Sequence, residues 1–270
     1  MTTDRTMLIT GATSGLGREL ARQYSLQPGH LILHGRDPDK LTELIDDLSP
    51  ARAHLDPVTA DLGELAQVER LAQDVAGLTD HVSVLVNNAG VGQGRGDVRE
   101  TSADGHELRL AVNHLAPFLL TMRLLPLLRA GAPSRVVNVA SAAQTPVDFD
   151  DPQLVNEYTG SRAYAQSKFA MIAAGFRLAG QLPAGEVTVN SLHPATLMPT
   201  AMVEEGWGAN VDKLATGVAS TRHLIDSPRL NGVTGQYFFR TSPEEALPEA
   251  YEQDVQDQLW QLSEELTGLA

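Results

Sequence analysis

Residues 6–20 read TMLITGATSGLGREL, and this run decides the fold. TMLIT is a short apolar strand, Gly11, Gly15 and Gly17 punctuate the turn after it, and GREL opens a helical pattern. Glycine lets the main chain turn sharply and approach a ligand closely, while the first N–H groups of a helix face an anion with the positive end of its dipole behind them. Gly11, Thr13, Ser14, Gly15, Leu16 and Gly17 are therefore candidate contacts to a pyrophosphate. The position, at a strand-to-helix junction that opens a βαβ pattern, is that of a dinucleotide site. No Lys-Ser/Thr pair follows, so the spacing is not that of a triphosphate-binding loop.

Outward from that junction, short β-rich runs recur at 30–35, 58–62, 82–88, 135–141, 186–193 and 235–239, after the first at 6–10. Several are apolar almost throughout, as strands covered on both faces are. Helical patterns at 15–26, 38–48, 63–76, 104–130 and 161–182 separate them. Such alternation predicts an α/β doubly wound parallel sheet of about seven strands with helices on both faces. With no linker or repeat in view, residues 1–270 read as one domain. Three segments depart from the alternation. Residues 144–161 are acidic and carry two prolines, residues 195–217 read as a long loop, and 249–267 read as an amphipathic helix packed on its own domain.

The net charge of −14 disfavours nucleic acid and anionic lipid as partners, and obliges an anionic cofactor to find local cations. The absence of cysteine excludes disulfides, thiolate nucleophiles and Cys-based metal centres. A strand that begins at once, with no leader pattern and no apolar run of membrane length, predicts a cytoplasmic protein outside the membrane.

Polar residues gather where strands end, the ligand-binding edge of such a sheet. HGRDP places Arg36 and Asp37 after the second strand. An arginine there suits the extra phosphate of NADP and a carboxylate suits the ribose of NAD; with Asp37 read as the turn residue before Pro38, Arg36 favours NADP and leaves NAD possible. Asp61 and Leu62 in VTADL face the adenine side, with Asn88 and Gly90 of VLVNNAG along the cleft and Asn87 in a backbone role. Asn113 interrupts an otherwise apolar helix, where asparagine is unfavourable, so it either caps a kink or holds a water. Ser141 closes VVNVAS, by itself no more than a turn residue. AYAQSK puts Tyr164 and Lys168 four apart on one helical face, so that phenol and ammonium stand side by side.

Together, TGATSGLG, DL at 61–62, NNAG, VNH at 112–114, VASAA, YAQSK and HPA resemble the short-chain dehydrogenase/reductases in order and over nearly the whole chain. The insert before RAYAQSK and the C-terminal GQYF and LWQLSEEL resemble the retinol-dehydrogenase-like branch. The resemblance implies a Rossmann fold and an NADP(H)-dependent oxidoreductase interconverting an alcohol and a ketone or aldehyde. By position, Asn113, Ser141, Tyr164 and Lys168 match the catalytic tetrad. Tyr164 exchanges the proton with its pKa lowered by the ammonium, Lys168 holds the nicotinamide ribose, Ser141 steadies the substrate oxygen, and Asn113 supports a water. Leu197 joins the cofactor contacts, and Thr196 and Thr200 compete for the carboxamide.

HPATLMPT departs from the family pattern, with Ala195 in a glycine's place, and Ser14 stands where NADP-using members often carry a basic residue. A cofactor-binding sensor without catalysis is the reading from another class, disfavoured by the intact tetrad. Eight histidines without helical ligand pairing point to no metal. The substrate reads as a small, hydrophobic carbonyl or alcohol compound walled by loops 91–102, 144–160 and 195–217, with Val91, Phe149, Leu197, Met198, Met202 and Trp207 as apolar candidates. Family members often pair through the helices holding Asn113 and Tyr164, a face the insert stands to obstruct, which leaves monomer and homodimer both open.

Overall fold

The computed structural model describes residues 5–206, 208 and 210–269. Among these residues eight strands form one sheet: β1 (Thr6–Ile9), β2 (His30–Gly35), β3 (His54–Thr59), β4 (Val84–Asn87), β5 (Ser134–Val139), β6 (Val187–His193), β7 (Tyr237–Phe239) and β8 (Ser242–Glu244). Their order is β3-β2-β1-β4-β5-β6-β7-β8. All neighbours pair in parallel except β7 and β8. The chain builds outward from β1 to β3 and returns to β4 beside β1, so the loops after β1 and β4 diverge and open a crevice at the carboxyl edge.

Eight helices accompany the sheet in the described residues: α1 (Gly15–Ser25), α2 (Pro38–Asp47), α3 (Leu65–Leu78), α4 (Leu108–Ala130), α5 (Gly160–Gln181), α6 (Ala201–Gly206), α7 (Leu214–Asp226) and α8 (Gln253–Thr267). Side chains alternate across a strand, and here both sets are buried. Met7 and Ile9 of β1, with Leu31 and Leu33 of β2, pack against α1, α2 and α7. Leu8 and Ile32 point the other way, into a larger cluster with α3, α4, α5 and α8. These two cores hold the sheet rigid beneath the crevice.

The structure corrects several expectations. The third strand runs over 54–59 rather than 58–62: it is the edge strand, half-exposed, and its polar His54 and Asp56 hide it from an apolar scan. An eighth strand, short and exposed, follows the expected seven. The stretch 195–217 is not all loop, for it contains α6 and the start of α7. The C-terminal helix begins at Gln253, after a 3-10 turn over Pro248–Tyr251.

Helix α4 has 23 residues and a mean hydropathy of 1.3 in its most apolar window, enough by length and composition to cross a membrane, so an apolar run of that length does exist. That window is 72% buried inside the fold, where it serves the core.

Helix α8, rather than the acidic insert, covers the outer face of α4 and α5. Trp260 meets Phe118 edge-on at 4.9 Å, Tyr251 just before the helix stacks on Phe176 at 4.9 Å, and Asp257 pairs with Arg177 at 2.8 Å. Buried His114 bonds Ser263 through Nε2 at 2.7 Å, and burial holds this imidazole at a pKa of about 3. The insert lies instead across the entry to α5, where Asp148 pairs with Arg162 at 2.8 Å and Gln166 donates to the Pro152 carbonyl at 3.0 Å.

Candidate functional site

The glycine turn is shaped by absent side chains. Gly11 has φ +65°, and a Cβ on it would lie 2.8 Å from the Ala89 main chain. A Cβ on Gly17 would fall 2.2 Å from the Gly11 carbonyl oxygen and 2.6 Å from Asn88 Nδ2, closer than side chains approach, so the first turn of α1 nests against β4 only with glycine there. Ser14 stands exposed at the N-cap of α1 with its side chain unused for capping, and no acidic residue occupies the first turn. Leu16 is buried beneath the turn and Thr13 packs over Gly35.

Two side chains brace this turn. The Asn88 amide donates to the carbonyls of Thr10 and Gly11 at 2.7 and 3.2 Å, so it braces the cradle. His34, which sequence reasoning passed over, accepts the Gly11 N–H at Nδ1 (3.2 Å); its Nε2–H therefore donates to the Ala60 carbonyl at 3.0 Å. Burial lowers its pKa to about 4, so it stays neutral. Asn87 does side-chain work as well as backbone work, donating to Asn138 at 2.9 Å and Thr121 at 3.1 Å.

Beyond β2, Asp37 caps α2 by accepting the N–H groups of Asp39 and Lys40 at 3.0 and 3.3 Å. Arg36 is exposed beside it and has no hydrogen-bond or ion-pair partner among the described residues. Asp61 lies past the end of β3, where its Oδ1 accepts the Gly63 N–H at 2.8 Å, and Leu62 is buried. Together, the backbone-lined turn, the uncommitted Ser14 and the unpartnered arginine fit a dinucleotide pyrophosphate with an additional negative group near Arg36.

Asn113 and Lys168 meet beside Gly90, Lys168 stands by the Tyr164 ring, and Tyr164 bonds Ser141, so four residues from three parts of the sequence are linked. A Cβ on Gly90 would stand 3.0 Å from Asn113 Oδ1, 3.5 Å from Lys168 Nζ and 3.7 Å from Met202 Cε. Asn113 sits in a π-turn spanning Ala111–Leu115, the physical form of the anticipated interruption. Its carboxamide accepts the Val91 N–H at 2.8 Å and donates to the Val91 carbonyl and to Ser167 Oγ, both at 3.0 Å. Lys168 donates to the Val139 carbonyl at 2.9 Å, and its Nζ stands 5.9 Å from the centre of the Tyr164 ring.

The resemblance implies a phenol acidified by this ammonium. In the protein alone the balance runs the other way, because burial raises the pKa of Tyr164 and only a hydrogen bond from Ser141 opposes it. Burial likewise brings Lys168 down to about 8, which keeps it mostly charged near neutral pH.

Further residues escaped the sequence reading. Tyr237 donates to the Ser141 carbonyl at 3.1 Å, and His193 Nδ1 accepts the Ala142 N–H at 3.1 Å, so β6 and β7 together fix the serine turn. His193 Nε2–H then donates to Thr196 Oγ1 at 3.0 Å, whereas Thr200 lies against Gly15, its Cγ2 3.0 Å from where a Cβ would stand. Leu197 between them has φ +45°, and Asp212 holds this loop by accepting from the Thr196 N–H at 2.7 Å and pairing with Arg240 at 2.7 Å.

Among the apolar wall candidates, Met198 packs into the core under α7, while Val91 and Phe149 lie against the other core. Met202 reaches the site, and Trp207 lies outside the described residues. On the opposite rim, buried Arg109 ties the segment after β4 together: it donates to the Gly92 and Gln93 carbonyls at 3.0 and 3.3 Å and pairs with Glu100 at 2.8 Å and Glu107 at 3.4 Å. Tyr158 of the insert donates to Glu107 at 3.2 Å.

The description "short chain dehydrogenase" matches residues 5–209, and the chain belongs to that family of oxidoreductases, the short-chain dehydrogenase/reductases. Its similarity to retinol dehydrogenase 13 of Homo sapiens is 31% identity over 98% of this chain and 85% of that one. With polyprenol dehydrogenase of Mus musculus it shares 34% identity over 98% of this chain and 84% of that one. Within the family it stands in the retinol-dehydrogenase-like branch. Among solved structures, a Pseudomonas aeruginosa RhlG/NADP active-site complex superposes with a TM-score of 0.67 at 24% identity, covering 87% of this chain and 94% of that one, a likeness of fold.

Proposed function

We propose that the protein is an NADP(H)-dependent oxidoreductase that interconverts an alcohol and a ketone or aldehyde, with Tyr164 as its acid and base. The observation that carries this reading is the chain of contacts from Asn113 and Lys168, both beside Gly90, through Tyr164 to Ser141. When bound, the nicotinamide supplies or accepts the hydride. Ser141 orients the phenol and the substrate oxygen. Lys168, anchored on Val139, holds positive charge beside Tyr164 and favours the phenolate when the proton leaves. Asn113 fixes Val91 and with it the wall opposite α5.

Arg36 supports the NADP assignment because it is the exposed, unpartnered cation at the end of β2, while Asp37 is occupied as a cap. The substrate in this reading is hydrophobic. Val98, Val155 and Val211, one from each of the three rim segments, are exposed side chains, each 67–68% accessible. Coverage of α4 and α5 by α8 favours a monomer, and burial of α4 within the core argues against its use as a membrane span; sedimentation and cell fractionation test the monomer and the cytoplasmic location.

A panel of hydrophobic ketones, aldehydes and alcohols followed by NADPH absorbance is the direct test. Tyr164→Phe retains NADPH binding and loses turnover by about 10²- to 10⁴-fold; unchanged turnover removes Tyr164 from the chemistry, and binding without any turnover in the parent protein supports the sensor reading instead. Arg36→Ala weakens NADPH by about tenfold or more and leaves NADH unaffected; a parent protein that prefers NADH overturns the cofactor assignment.

A further inference from the structure

At the opposite end of the sheet, far from the glycine turn, two imidazoles and a carboxylate meet. His30 opens β2 and His54 opens β3, and the two stand directly opposite each other in the parallel register. Asp56 follows two residues after His54, on the same face of the edge strand. His30 Nε2 lies 2.7 Å and His54 Nε2 3.1 Å from the same oxygen, Asp56 Oδ2, and the ring centres are 5.0 Å apart. One donor atom from each residue falls within 4.8 Å of the other two.

We propose that His30, His54 and Asp56 bind one divalent transition-metal ion of the zinc class, which clips the edge strand β3 to β2. An ionised carboxylate only accepts, so without metal both Nε2 atoms carry hydrogen and donate to one oxygen. Asp56 Oδ2 can accept both, so the telling feature is the orientation of His54. The His54 side chain is 71% exposed, and water would satisfy its N–H at no cost, yet its ring turns inward to the shared point. A metal at that point is bound by both Nε2 lone pairs and the carboxylate oxygen, with each ring carrying its proton on Nδ1 instead.

Ligands of a tetrahedral zinc ion stand roughly 3.3 Å apart at bond lengths of about 2.0–2.1 Å, so small side-chain rotations within the observed cluster suffice. Two imidazoles with one carboxylate select zinc, nickel or copper over magnesium and calcium. Six-residue strands separate the cluster from the carboxyl edge, so the ion acts on the sheet and not on the reaction site. It would fasten one of the two strands at the edges of the sheet, the usual weak points of an open sheet.

The test uses the full chain without a polyhistidine tag, stripped by a chelator and titrated with zinc by calorimetry and by competition with a chromophoric chelator. One equivalent binds, the melting temperature rises, and magnesium does neither. His54→Ala, an exposed change that leaves the core intact, and Asp56→Ala each weaken zinc binding by at least about tenfold and abolish the melting shift. His223→Ala, on α7, changes neither. Zinc binding that His54→Ala and Asp56→Ala leave intact, or that spreads over several weak equivalents, overturns the proposal, as does an absence of binding in the parent protein.

Discussion

The two walls of the crevice are built by different means. The glycine-turn wall is main chain, made by residues that lack side chains: Gly11 and Gly17 work because a Cβ would collide with Ala89 or with the Gly11 carbonyl. The rim of 91–102, 144–160 and 195–217 is tied by long-range side-chain bonds, Arg109 to Glu100 and Glu107, Tyr158 to Glu107, and Asp212 to Arg240. The first kind of wall is set by main-chain contacts and offers one shape. The second depends on side chains, which would suit the side proposed to meet a substrate.

Substitutions on either wall separate the two designs. The largest loss is expected from Arg109→Ala, which leaves Glu107 buried without its cation; breaking such a pair costs about 3–5 kcal/mol. Urea melts should show the destabilisation, and at temperatures where the variant stays folded, NADPH affinity should hold while substrate KM rises. Equal damage to both would show that the rim and the cradle are one unit.

Acid gives the next effect. His34 and His193 are both held near a pKa of about 4 and His114 near 3, with burial the first cause in each case. An unfolded histidine takes up its proton near pH 6.5. Between that pH and about 4 the unfolded chain binds protons the folded one refuses, so stability present above pH 6.5 falls as the pH drops, by up to about 1.4 kcal/mol per unit for each residue. Denaturant melts across this window should show the slope. His34→Gln should flatten it through the cradle and His193→Gln through the rim, and a slope untouched by either would assign it to His114 or to carboxylates.

Gly17→Ala is expected to cost less in stability, about 1–3 kcal/mol for an overpacked contact. Its effect should be concentrated in NADPH affinity, with substrate KM at saturating cofactor near the parent value. A variant with parental NADPH affinity would show that the turn can shift without loss.

What could be read in advance follows the same division. Gly11, Gly15 and Gly17 were legible because local backbone demands recur at fixed spacing, whereas Asp37, read as a turn residue, proves to be a helix cap. Tyr164 and Lys168 were legible because four residues of helix place them together. Strand β3 was placed too late because an edge strand keeps polar residues such as His54 and Asp56, and α7 was missed because its run of small and polar residues resembles a loop. His34, Tyr237 and Arg109 were missed for another reason: each acts on atoms of segments that only the fold brings near. The His30–His54 pair shows the limit most clearly, since a search for ligands along a helix cannot see two strands in register.

Helix α8 carries a consequence for biosynthesis. Leu259 and Trp260 complete the cluster that backs α4 and α5, although they are translated long after both helices. A ribosome that has just released Tyr164 and Lys168 therefore presents a nascent chain whose flank around Phe118 and Phe176 is still bare and open to chaperones. The two helices that carry Asn113, Tyr164 and Lys168 are thus backed by a segment translated after them.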